Sequence, residues 1–122
     1  MQNLNDIPYR ELAKGIMAKL VHGNKSTLSI VDIKQGSILP KHKHKNEQIT
    51  FIVEGELQMT IGKKEYQMTA GTVHVIPPNK PHSAIAITDC RVIDVFCPVR
   101  EDYKDAKPKK KEIKAEKKKD KK

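Results

Sequence analysis

Aromatic residues are scarce in this chain: no tryptophan, two phenylalanines and three tyrosines among 122 residues. So few rings argue against a large aromatic-lined pocket of the flavonoid-binding kind. Cysteine is scarcer still. Cys90 and Cys97 are the only two, and no CxxC pair exists. That reads as two reduced thiols in a cytoplasmic protein, with no positive sign of a disulfide. No run approaches the ~20 apolar residues of a membrane span. The first ten residues lack the apolar centre of a secretion signal. The expectation is a soluble cytoplasmic protein with no membrane partner. Hydrophobic residues make up 37% of the chain, enough for one small domain.

Positive charge is plentiful, at a net +9, but it is unevenly placed. From residue 101 to residue 122, eleven lysines face six acidic residues, so five of the nine surplus charges lie there. The apolar residues of that stretch are Tyr103, Ile113 and two alanines. It cannot bury a core; its Glu and Lys content suits transient helix, but without an apolar stripe to dock the composition favours disorder. The basic pI is therefore no argument for nucleic-acid binding by the folded part. The organisation expected is an arm over residues 1–14, a domain over 15–100 and a lysine-rich tail over 101–122.

The domain reads as short strands at close spacing. Residues 16–21 and 27–34 alternate apolar and polar positions around the turn His22-Gly23-Asn24. His22 beside that turn is expected to be exposed and without a role. Residues 48–54 are rich in β-formers. Leu57, Met59 and Ile61 alternate with polar neighbours, and residues 65–69, 72–76, 81–88 and 91–96 follow between Gly, Pro and Asp punctuation. Eight or nine short strands without a long amphipathic helix predict an all-β barrel or sandwich.

Two stretches carry chemistry. In the first, His42-x-His44 aims two imidazoles at one spot if the segment is a strand, and Gln48 follows at an even spacing. Neutral imidazole is the commonest ligand for first-row transition metals. The alternating Lys41, Lys43 and Lys45 allow the plainer reading of a solvated face. In the second, Pro77 to Pro81 forms a rigid bend and His82 heads the next strand, with the small Ala84 and Ala86 on its face. His74, eight residues earlier, reads more readily as a core or surface residue than as a cavity residue. A late strand adds Asp94 and Phe96 on one face with Val92. A carboxylate there needs either a polar cavity or a cationic partner at the rim.

These stretches resemble the two motifs of the cupin superfamily. Gly36, His42, His44 and Gly55 match the first in spacing, with Gln48 where glutamate is usual. Gly71, Pro77 and His82 match the second, with Asn79 in place of glycine and Ala86 in place of asparagine. The resemblance implies a single jelly-roll β-barrel holding one divalent transition metal (Ni, Zn, Mn, Fe or Co) on His42, His44, Gln48 and His82. If Gln48 does not ligate, Glu47 is the alternative. Three imidazoles and an amide leave such a site dipositive, which suits Lewis-acid work on an anionic or carbonyl substrate.

The combination with Asp94-Val-Phe96-Cys-Pro-Val-Arg100 is similar to pectin-degradation cupins of the KdgF type. That resemblance implies conversion of 4,5-unsaturated monouronates into linear keto sugar acids. Arg100 would hold the uronate carboxylate, Asp94 would move a proton and Phe96 would pack on the sugar. It also implies a homodimer, for which Ile49, Phe51 and Val53 offer an outward face. The alternative is a non-catalytic cupin that binds or senses a small molecule. A metal-dependent dioxygenase is a third reading.

Overall fold

The computed structural model describes residues 1–104. Ten strands run in the order β1 (Arg10–Ala13), β2 (Ile16–His22), β3 (Thr27–Ile33), β4 (Ile38–His42), β5 (Glu47–Glu54), β6 (Glu56–Ile61), β7 (Lys64–Thr69), β8 (Val73–Ile76), β9 (His82–Ala86) and β10 (Cys90–Cys97). One helical turn, α1 (Glu101–Lys104), follows them. The strands form two facing sheets, a six-stranded β1-β2-β3-β10-β5-β8 and a four-stranded β4-β9-β6-β7. This is the expected two-sheet jelly roll.

Two expectations change at the ends. Residues 10–13, read as part of an arm, are β1, paired antiparallel to β2 at the sheet edge. The segment before β1 is also held: the Tyr9 hydroxyl donates to Asp32, and Lys19 Nζ donates to the Leu4 carbonyl at 2.8 Å. At the other end, residues 101–104 of the tail form α1 rather than coil, and Arg10 Nη1 donates to the Tyr103 carbonyl at 3.2 Å. The rest of the tail, 105–122, lies outside the described residues.

Alternation along each strand sends one set of side chains inward. The inner surface is graded from one end to the other, and the grading follows register. Ile52 of β5 lies opposite Val92 of β10, and both are buried among Ile16, Val31, Leu57 and Met59. One step along, Ser29, Asp94, Thr50 and His74 form a row across β3, β10, β5 and β8. One step further, Thr27, Phe96, Gln48 and Ile76 form the next row. The apolar end supplies the core. The polar end brings together Ser29, Thr50, Gln48 and Asp94.

Candidate metal centre

His42 ends β4 and His82 begins β9, and the two are register partners in the four-stranded sheet. Gln48 faces them from the six-stranded sheet, where it pairs with Phe96. His44 lies in the loop between β4 and β5. It reaches the site from the connection between the two layers. The strand-parity expectation for His42 and His44 thus gives the right neighbours by a different route, because β4 stops at His42. One ring nitrogen from each of His42, His44 and His82 lies within 4.8 Å of the others. Glu47 is exposed on the opposite face of β5 and is not in this cluster.

Each ring is pinned by main chain. Nδ1 of His42 faces the Pro40 carbonyl at 2.8 Å, Nδ1 of His82 faces the Lys80 carbonyl at 2.8 Å, and Nδ1 of His44 faces the Asn46 carbonyl at 3.0 Å. A carbonyl only accepts, so each Nδ1 carries the proton and donates. Each Nε2 lone pair is then left for the centre.

Two observations show that a cation fits there. Nε2 of His82 is buried and has no hydrogen-bond partner among the described residues. Nε2 of His44 lies 3.0 Å from Gln48 Oε1, so two lone pairs face one another across a hydrogen-bond distance. Protonation of His44 would relieve that contact, but burial and the charge of Arg100 hold its pKa below the usual imidazole value. Burial also lowers the pKa of His82 to about 4, against the opposing effect of its bond to the Lys80 carbonyl. A metal on the three imidazoles, with the Gln48 amide oxygen beside them, would satisfy both nitrogens and keep the rings neutral.

Behind Gln48 stands Asp94. Gln48 Nε2 donates to Asp94 Oδ1 at 3.1 Å and to Thr50 Oγ1 at 2.9 Å, and the Thr50 hydroxyl donates to Asp94 Oδ1 at 2.8 Å. Burial raises the Asp94 pKa to about 6, with the bonds from Thr50 and Gln48 pulling the other way. Asp94 therefore points inward, and its partners are the amide and a hydroxyl rather than a cation at the rim. Ser29, its register neighbour, has a buried hydroxyl without a partner among the described residues.

Phe96 is buried with its ring edge-on to His44, centroids 5.6 Å apart. The Arg100 guanidinium lies over both the Phe96 and Tyr103 rings, 4.6 and 3.8 Å from their centroids. Its Nε and Nη2 donate to the two carboxylate oxygens of Asp102 at 2.9 and 2.8 Å. Arg100 is thus buried beside the site with one edge of its fork already on a carboxylate.

The structure brings His42, His44, Gln48, His82, Asp94, Phe96 and Arg100 together in one connected cluster. It leaves out His74, whose ring packs on Tyr66 at 4.6 Å. His22 is half-buried rather than exposed, and its Nδ1 meets Thr27 Oγ1 at 2.9 Å.

Sequence reasoning missed Thr50, Ser29, Asn46 and Asp102. Thr50 carried a findable signal, since a hydroxyl on the inward parity of β5 directly follows Gln48. Asn46 carried none. Its amide donates to the carbonyls of Pro98, at 2.5 Å, and Val99, at 3.3 Å, and so ties the His44 loop to the segment that bears Arg100.

A cupin-domain family profile matches residues 29–96, more than half of the chain and all of the site except Arg100. The chain belongs to the cupin family. This cupin is 40% identical over 81 residues to H2HPP isomerase of Bacillus subtilis, covering 65% of this chain and 34% of that protein. It is 30% identical over 93 residues to the HTH-type transcriptional regulator PuuR of Escherichia coli K12, covering 70% of this chain and 50% of that protein. The cupin thus spans a third to a half of the length of these relatives. Among solved structures it is similar to KdgF from Halomonas sp., with TM-score 0.76 and 25% identity over 81% of this chain and 93% of that one. An RmlC-like cupin from Shewanella frigidimarina shares the fold, with TM-score 0.80 and 23% identity over 84% and 94% of the two chains.

Proposed function

We propose that this cupin is a metal-dependent isomerase of a small carboxylate, converting a 4,5-unsaturated monouronate into its linear keto form. The observation that carries the reading is one juxtaposition. Three imidazole Nε2 atoms and Gln48 Oε1 converge beside an inward carboxylate and a buried guanidinium. A divalent cation on His42, His44, Gln48 and His82 would supply Lewis acidity toward substrate oxygens.

The chain's own groups do the rest. Arg100 binds the substrate carboxylate through the Nη1 edge that Asp102 leaves open. Phe96 packs against the sugar ring. Among the described residues, Asp94 accepts hydrogen bonds at Oδ1 and none at Oδ2. Oδ2 carries the proton as the ring opens and the enol becomes a ketone. The exposed Lys41, Lys43, Lys45 and Lys80 flank the ligands along the chain and favour an anion. Similarity to KdgF and to a protein named an isomerase supports this reaction class.

A second reading is a non-catalytic sensing cupin. Two features favour it: the occupied fork of Arg100, and the likeness to a transcriptional regulator. The test is decay of the ring absorbance of 4,5-unsaturated galacturonate or mannuronate, with and without chelator. Chelator-sensitive acceleration that is lost in His44→Ala and Asp94→Ala supports the enzyme. Absence of acceleration by fully metallated protein removes that reaction and leaves the sensing cupin.

A further inference from the structure

We propose that Asp94, acting through Oδ1 and Thr50, decides which end of the Gln48 amide meets the metal. Gln48 and Asp94 are then a matched pair, and the effect of changing Asp94 on metal binding depends on which residue stands at position 48. A carboxamide has an accepting end and a donating end of nearly equal size. Packing does not choose between them, so hydrogen bonds must. Here both neighbours of the amide nitrogen act as acceptors. Asp94 is a carboxylate and offers lone pairs only. Thr50 is amphoteric, but its single proton is already committed to Asp94 Oδ1 at 2.8 Å, so it too presents lone pairs to Gln48. Gln48 Nε2 fills both, at 3.1 and 2.9 Å. A flipped amide would set Oε1 against two acceptors and turn an N–H toward the imidazole centre. The arrangement thus acts as a relay of polarity: carboxylate, hydroxyl, amide, metal.

The pairing makes a prediction in which the sign of an effect reverses. A glutamate at position 48 has no donor to give, so it would place two carboxylates over one hydroxyl proton. Asparagine at position 94 would supply the missing donor to that glutamate. With glutamine in place, the same asparagine removes the acceptor that fixed the amide. Asp94→Asn should therefore weaken metal binding when residue 48 is Gln and strengthen it when residue 48 is Glu.

The inference rests on the metal-site reading, and the test separates the two. Zinc and nickel dissociation constants would be measured, against a competing chromophoric chelator, for wild type, Asp94→Asn, Gln48→Glu and the double variant. The metal-free folds would be compared by circular dichroism. Loss of an outer partner of this kind changes metal affinity on the order of 10–100-fold. The expected result is a loss of that size for Asp94→Asn alone and a gain for Asp94→Asn over Gln48→Glu. Thr50→Val should lose affinity and Thr50→Ser should keep it, which serves if an Asp94 variant fails to fold. Equal signs in the two backgrounds, or unchanged affinity in both Asp94→Asn and Thr50→Val, overturn the inference and leave the metal site standing. Failure of wild type to bind either metal overturns both.

Discussion

A histidine whose Nδ1 is pinned to a carbonyl has only one neutral form, and His82 is held in it while its Nε2 stays buried. With its pKa lowered to about 4, the ring should remain neutral well below the usual imidazole midpoint. Nitrogen-detected NMR on metal-free protein should show the Nδ1–H tautomer of His82 down to about pH 5. A ring that gains its second proton near pH 6.5 would contradict this account of the burial. The sign for stability follows. The unfolded chain takes up this proton below about 6.5 and the folded one refuses it, so His82 withdraws stability as pH falls from there toward 4. Asp94 acts in the opposite sense. Its raised pKa, about 6, means that the folded protein holds a proton the unfolded chain has released, and that penalty disappears as pH falls from about 6. The two partly cancel in an unfolding curve, so titration of the individual ring is the cleaner observation.

At the scale of elements, the site depends on turns that hold unusual backbone. Gly55, between β5 and β6, has φ of 92°, and a Cβ there would lie 2.2 Å from the Asp89 carbonyl oxygen and 2.9 Å from Cys90 Cα. Both contacts are backbone, so they cannot swing aside. Gly55→Ala should destabilise the domain by about 2 kcal/mol or more, read from urea unfolding. Asn79 lies in the β8–β9 loop with φ of 62°, and its N–H donates to the His44 carbonyl at 2.7 Å. Asparagine is among the few residues other than glycine that adopt this region readily. It thus fills the glycine position of the family motif without loss of the turn. Asn79→Gly should be tolerated. Asn79→Val should cost roughly 1–3 kcal/mol and weaken metal binding, because a β-branched residue pulls the backbone away from positive φ and displaces the N–H that meets the His44 carbonyl.

At the scale of the whole molecule, a cation that binds only the folded state should stabilise it by about 2.7 kcal/mol when present at 100 times its Kd. For a domain of about 100 residues that is a rise in Tm of roughly 10 °C or more. Calorimetry with zinc or nickel, reversed by chelator, checks it. The expected homodimer has a candidate surface in Leu28, Ile49, Phe51, Val73 and Val75, all exposed on the six-stranded sheet, whereas Val53, expected beside Ile49 and Phe51, is half-buried. Light scattering should report a dimer for wild type and a monomer for Phe51→Lys combined with Val75→Lys.

Much of this architecture was legible because inward alternation and turn residues agreed over most strands. The strands that were hard to read are those at sheet edges. β1, Arg-Glu-Leu-Ala, has the composition of a helical turn and becomes a strand only because β2 lies beside it. β4 carries Pro40 and is exposed over much of its length. The cluster of His42, His44 and His82 could be read from spacing and family pattern. Asp102 could not, because its role depends on α1 folding back to bring the carboxylate to Arg100.

The main-chain pinning of the three imidazoles has a bearing on how such a site changes over generations. A carbonyl is supplied by every residue, so the orientation of His42 and His82 makes no demand on the identity of Pro40 or Lys80 as side chains, whereas the Asn46 amide also holds the His44 loop. Lys80→Ala, for example, should leave the zinc dissociation constant within about twofold. Substitutions that reshape the mouth can then accumulate without loosening the centre. Gln48 differs from the three imidazoles in that its orientation is set by side chains, Thr50 and Asp94. A lineage could thus explore new ligands at the rim while its chemistry at the centre stays fixed.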